Sequence, residues 1–195
     1  GGPGSDMLFG YHGADETRRR FLLPLWNVYS FFVTYARLDH WSPTNDEGRM
    51  TKVEGGQSSF VVRPSSDLDR WILARLQQLI AEVDGALDSF YVYKATKPVE
   101  EFLDDLSNWY VRRSRRRFWR SEADADKQAA YATLYHVLVT LTKLLAPMVP
   151  FLTEELYHNL VRAAGTAVGD LGAPLSVHHC AWPIVDPALE DEALI

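Results

Sequence analysis

A chain of 195 residues, 47% hydrophobic and 12% aromatic, can bury one sizeable core, so one domain with an appended flap is expected. A net charge of −6 excludes a surface that attracts polyanions everywhere, and any nucleic-acid contact has to be a local patch. The single cysteine, Cys180, excludes an internal disulfide, and no apolar run reaches the roughly 18 to 20 residues that cross a bilayer.

Gly1–Ser5, "GGPGS", has no packing content and reads as a cleavage remnant of an expression vector, outside the fold. From Arg19 to Leu38, Leu22, Leu25, Trp26, Tyr29, Val33 and Ala36 recur at three- and four-residue steps. Val28, Phe31, Tyr35 and Leu38 make the other side apolar too, the mark of a helix central to its bundle, with Pro24 starting or kinking a segment. Residues 42–66 mix Pro, Gly, Ser, Asn and charge, with one β-prone run at Phe60–Val62, and read as a long loop or hairpin. Ser66 then caps a second helix, with Asp69 three residues on as a capping-box-like acid and an apolar stripe from Leu68 to Leu87. A third helix is expected from about Thr96 to Arg120, with Pro98 near its first turn. A fourth runs from about Asp124 until Pro147 stops it, and Pro150 opens a short fifth through about Arg162, with Glu154 and Glu155 as helix-start acids. The passage "SVHHCAWP" at Ser176–Pro183 looks extended and should pack through Trp182. The fold class is therefore all-α: an antiparallel bundle of four to five helices over residues 6–164, a loop insertion at 42–66, and an irregular or extended tail over 165–195.

The segment "LSNWYVRRSRRRFW" carries the functional signal. Six arginines (Arg112, Arg113, Arg115, Arg116, Arg117 and Arg120) fall within nine positions, and their charge of about +6 leaves about −12 on the rest of the chain. Guanidinium forks suit phosphate oxygens and can stack on bases, and the interleaved Trp109, Tyr110, Phe118 and Trp119 supply surfaces for unpaired bases. On an unbroken helical wheel Trp109, Arg113 and Arg117 share the inward stripe of Phe102, Leu103, Leu106 and Tyr110. Trp109 thus reads as core, and Arg113 and Arg117 either pair with carboxylates of a neighbouring helix or contact RNA. Arg112, Arg115 and Arg116 point away from that stripe, with no acid at helical spacing inside the cluster, and Trp119 projects outward as a stacking candidate or a cover for the next helix.

"LSNWYVRRSRRRFW" resembles the tryptophan- and arginine-containing helix of the anticodon-binding domain of isoleucyl-tRNA synthetases. The resemblance extends to "LLPLWNVYSFFVTYA", "DLDRWILARL", "LAPMVPFLTEELY" and "SVHHCAWP", nearly the whole chain after Ser5. The Leu-Ala-Pro, Pro-Phe and Glu-Glu pattern is shared by the class Ia synthetases for isoleucine, valine and leucine, whereas the arginine-rich helix selects isoleucine. The resemblance implies that Asn27 and nearby aromatics line an anticodon-facing groove, although Asn27 equally suits an ordinary interhelical hydrogen bond. It implies that Arg112, Arg113, Arg116 and Arg117 lie along the groove that receives the anticodon stem-loop of tRNA(Ile); the lone cysteine fits a reducing, cytoplasmic setting. The expected tRNA-binding set is Asn27, Arg112, Arg113, Arg115, Arg116, Arg117 and Trp119, with no catalytic or metal-binding residue.

Neither the His-containing nor the Lys-Met-Ser-Lys-Ser-like ATP signature of class I synthetases occurs, so amino-acid activation with ATP and Mg is expected to reside in a catalytic domain of the full-length chain. No cofactor is expected in these residues. The alternative is a helical scaffold or protein-interaction module whose arginines pair with acids; a hydrolase finds no nucleophile and base here.

Overall fold

In a computed structural model, the structure describes residues 10–43, 50–52, 58–60, 62–120, 124–162 and 173–195. Gly1–Ser5, much of the 42–66 loop and the passage into the tail at 165 lie outside the described residues.

Among the described residues the first element is α1 (Tyr11–Thr17), which continues through a π turn at Arg18–Leu22 into α2 (Leu23–Leu38). Pro24 lies just beyond the wide turn. Proline lacks an N–H and crowds the carbonyl four residues before it, so the extra residue falls where the ladder is already interrupted. Two short strands, β1 (Met50–Lys52) and β2 (Ser58–Phe60), pair antiparallel, with Thr51 opposite Ser59. The 22-residue α3 (Asp67–Asp88) starts at Ser66, whose hydroxyl accepts from the Asp69 amide at 3.2 Å. Next come α4 (Val92–Asp104), a seven-residue π turn at Asp105–Val111, and α5 (Arg112–Trp119). Pro98 sits inside α4 rather than in its first turn, because the helix starts four residues earlier than the proline suggested. Asp124 caps α6 (Ala125–Leu144) through the Lys127 amide at 2.7 Å, and α7 (Pro150–Tyr157) ends in a π turn at His158–Arg162.

Both α2 and α3 close with a bond from the sixth residue back to the first, Trp41 to Ala36 at 2.8 Å and Tyr91 to Ala86 at 2.9 Å. The residue that makes this reversal takes positive φ: His40 at 51° and Phe90 at 61°, where glycine is the unstrained choice.

The core runs through Leu25, Val28 and Phe32 of α2, Ile72, Leu76 and Val83 of α3, Phe102, Leu106 and Tyr110 of the next helix, and Tyr131, Leu134 and Leu138 of α6. Successive long helices alternate in direction, and α2 consequently runs parallel to the α4–α5 helix. Phe31 meets Phe118 edge-on at 5.1 Å near the far end, and Tyr35 meets Trp119.

The tail differs from an extended segment, forming 3-10 turns at Val177–His179 and Pro187–Leu189. It is clamped by Trp182 donating to Asp84 at 3.1 Å and by the Asp186 amide donating to Gln77 at 2.9 Å. Glu154, which its position marks as a helix-start acid, accepts from Ser176 and the Val177 amide, both at 2.9 Å.

Candidate nucleic-acid interface

The arginine-rich helix is set by the π turn before it. Seven residues in a wide turn insert about one residue relative to a regular helix, which rotates everything downstream by roughly 100°. The buried stripe therefore passes from Leu106 through Tyr110 and Val111 to Ser114, Arg117 and Phe118. Trp109 and Arg113, inward on an unbroken wheel, are turned out. Trp109 is 48% exposed, and the Arg113 guanidinium lies over its ring, 4.2 Å from the centroid.

Arg117 goes the other way and leaves the set of groups free to meet RNA. Its two terminal nitrogens grip both oxygens of Asp69, at 2.7 and 2.8 Å, and one of them also reaches Asp126 at 2.8 Å and Ser65 at 2.9 Å. Asp69 is fully buried and also accepts from the Tyr110 hydroxyl at 2.8 Å. Burial alone would raise the Asp69 pKa, but the hydrogen bonds and charge of Arg117, aided by Tyr110 and Ser66, hold it below the ordinary carboxylate value. Burial works against the Arg117 cation as well, and Asp69 more than compensates, so the guanidinium stays charged. Burial first, then the Asp69 carboxylate, drives the Tyr110 phenol well above its usual range. Arg120 is likewise matched, by Asp124 at 3.0 Å.

Nearby, Lys127 is almost fully buried between Asp39, at 2.6 Å, and the Arg120 carbonyl, at 2.7 Å, and Tyr131 donates to the same Asp39. Burial would raise the Asp39 pKa, yet the bonds from Lys127 and Tyr131 keep it low. These contacts join the end of α2, the starts of α3 and α6 and the end of α5 into one ionic anchor.

Arg112, Arg115 and Arg116 are exposed and make no hydrogen bond or ion pair with the described residues. Pairing with internal acids thus accounts for Arg117 and Arg120, not for these three. Arg112, Arg115 and Trp119, all in α5, follow at steps of three and four, which places them along one flank of that helix. The top of that flank is tied to α2, where the Trp119 indole donates to the Tyr35 hydroxyl at 2.7 Å while the ring stays 57% exposed.

At the other end of the flank the same two helices part to form a cavity of about 950 Å³, whose walls include Arg19, Arg20, Asn27, Glu100, Asp104 and Asn108. Asn27 is exposed there and makes no hydrogen bond with the described residues. The interhelical bond that its position allowed does not form among them. Asn108 donates to Asp104 at 2.5 Å. The walls of this cavity thus mix arginines with carboxylates, while Arg112 and Arg115 stand outside its lining.

The places that Asp69, Glu100, Asp104 and Asn108 take in the structure escaped the reading of the sequence, in which Asp69 was a capping-box acid. Asp69 had a signal: an acid in register with Ile72, Leu73 and Leu76 on a buried stripe needs a partner. Glu100 and Asp104 had none, since their place in the groove depends on how α2 lies beside α4. Among the described residues no group of three or more His, Cys, Asp or Glu side chains is arranged to hold a metal ion, and no helix is long and apolar enough to cross a membrane.

A sequence model of the family described as the anticodon-binding domain of tRNA ligase matches residues 69–195. The chain is 47% identical to the isoleucine–tRNA ligase of Dehalococcoides mccartyi strain CBDB1 over 98% of its own length and 17% of that protein. It is 45% identical to that of Clostridium acetobutylicum over 95% of this chain and 16% of the relative. It is 44% identical to that of Thermus thermophilus over 99% and 17%. The chain therefore spans about 17% of the length of such relatives.

Proposed function

The chain belongs to the anticodon-binding domains of tRNA ligases, and from that membership we propose that it is the part of an isoleucine–tRNA ligase that holds the anticodon stem-loop of tRNA(Ile). The observation that carries this reading is the flank on which Arg112, Arg115 and Arg116 stand uncommitted beside the exposed ring of Trp119. Phosphates of the loop would lie on those guanidinium groups, with Arg113 adding a cation already stacked on an indole. A base lifted from the loop can stack on Trp119, whose N–H is held by Tyr35 and whose face is free. Phosphate contacts position the RNA, and Asn27, with its amide open to the groove, would read a base edge. Activation of isoleucine with ATP and Mg would belong to the catalytic domain of the full-length protein, in the cytoplasm, and this domain would act by fixing where the tRNA sits.

Titrating the chain with tRNA(Ile) and with an unrelated tRNA at low salt tests the reading. Both should bind, tRNA(Ile) the more tightly. Charge reversal of Arg112 and Arg116 should weaken both by at least about tenfold, and Asn27→Ala should change the ratio between them. Failure of either tRNA to bind at low salt would remove the proposed role.

A further inference from the structure

Trp119 is the last residue of α5, and the chain leaves the helix at Arg120, whose backbone is extended at φ −61° and ψ 139°. No further helical turn follows to hem the indole in, and 57% of the residue is exposed. An indole so placed would ordinarily move among its rotamers. Here its N–H donates to the Tyr35 hydroxyl at 2.7 Å. Tyr35 is held in turn by a run of rings that starts in the core: Tyr131 meets Phe118 edge-on at 4.8 Å, Phe118 meets Phe31 at 5.1 Å, and Phe31 meets Tyr35 at 4.8 Å. Tyr131 and Phe118 are buried, so the acceptor of the indole bond is fixed from the inside of the bundle outward.

A tie between α2 and α5 would explain the bond but not the exposure. The N–H of an indole lies in the plane of the ring, so a partner on it grips the edge and leaves the face uncovered. That N–H is also the only hydrogen-bonding group the side chain has. With its donor spent on Tyr35, what Trp119 presents is a flat apolar face, on the same flank of α5 as Arg112 and Arg115, which make no hydrogen bond or ion pair with the described residues. Such a face offers every base the same kind of contact and gains more from a larger ring system. It discriminates by size, not by the donors and acceptors along a base edge.

We infer that Tyr35 is a positioning residue for RNA: by holding the indole edge of Trp119 it makes that ring a ready platform for one unpaired base of any identity, purines favoured over pyrimidines. A ring already held gives up little rotamer freedom when a base lands on it, and that difference is what Tyr35 contributes to affinity. This inference rests on the RNA-binding role proposed above and names the class of nucleotide that this point of the flank takes.

The test uses the 195-residue chain and RNA hairpins with a short uridine loop, in which one position carries adenosine, guanosine, uridine or an abasic ribose and is moved through the loop. At the position that reaches Trp119, adenosine and guanosine should bind equally, each about tenfold more tightly than the abasic ribose, with uridine between. Trp119→Leu should bring these ratios close to one. Tyr35→Phe keeps the ring beside Phe31 and removes only the oxygen. It should lower the purine-to-abasic ratio by about two- to tenfold, leave the affinity for the abasic hairpin unchanged, and have no effect on top of Trp119→Leu.

Equal weakening of the purine and abasic hairpins by Tyr35→Phe, or no change in either, would show that the bond only ties α5 to α2. A gap between adenosine and guanosine as large as that between either and the abasic ribose would mean that a base edge is read, contrary to the inference. If RNA binds with a ratio of one at every position, Trp119 carries no base although the proposed function stands. If no hairpin binds the unaltered chain, the proposed function falls and the platform with it.

Discussion

Asp69 and Arg117 take opposite charges out of water within the same bundle end, and each satisfies what the other would lack. Removing one partner is therefore far more harmful than replacing both. Asp69→Ala should destabilise the fold by about 3–5 kcal/mol, because it leaves a guanidinium that is only 11% exposed with the more exposed Asp126 as its remaining acid, while Asp69→Leu with Arg117→Met should lose much less. Urea midpoints of the three proteins measure the difference, and equal losses would show that the pair is not coupled. His136 gives a second effect at this scale. Burial, with a smaller push from Lys143, lowers its pKa to about 4 from 6.5. Between those values the unfolded chain takes up a proton that the folded chain refuses, so stability falls as pH drops through that window, by up to about 3 kcal/mol. Asp69, held low, adds to the loss only below its ordinary 3.8, as pH falls through its folded value. Melting temperatures from pH 7 to pH 4 should drop more steeply for the unaltered chain than for His136→Gln, and parallel curves would contradict the assignment.

At the scale of the element, much of the fold is legible from spacing and caps. Ser66 and Asp124 mark helix starts by residue type, and each accepts the amide three residues on. The π turn at Asp105–Val111 leaves no comparable mark. One extra residue within an otherwise unbroken apolar pattern changes no residue type, yet it exchanged Trp109 and Arg113 for Val111 and Ser114 on the buried side. The partner of Arg117 was equally hidden, since Asp69 lies 48 residues away and its nearer reading, a cap acid, was satisfactory. Phe90 offers a test of strain at this scale. Its backbone is left-handed and its ring is 89% exposed, so Phe90→Gly should raise stability by about 1 kcal/mol. A loss on that substitution would mean that the ring packs in solution.

At the scale of the molecule, a net charge of −6 coexists with a cationic flank because the ionic anchor consumes Arg117 and Arg120 while leaving Arg112, Arg115 and Arg116 without an acid among the described residues. Bundle stability and RNA binding are thus divided between neighbouring residues of one helix. The dependence of tRNA affinity on salt tests this division most directly. On a plot of log affinity against log salt, Arg112→Ala with Arg116→Ala should make the slope shallower by about 1.5 to 2, the counterions of two phosphate contacts, with no change in the urea midpoint. An unchanged slope, or a lowered midpoint with the slope intact, would contradict the account, because those two cations would then be serving the fold rather than the RNA.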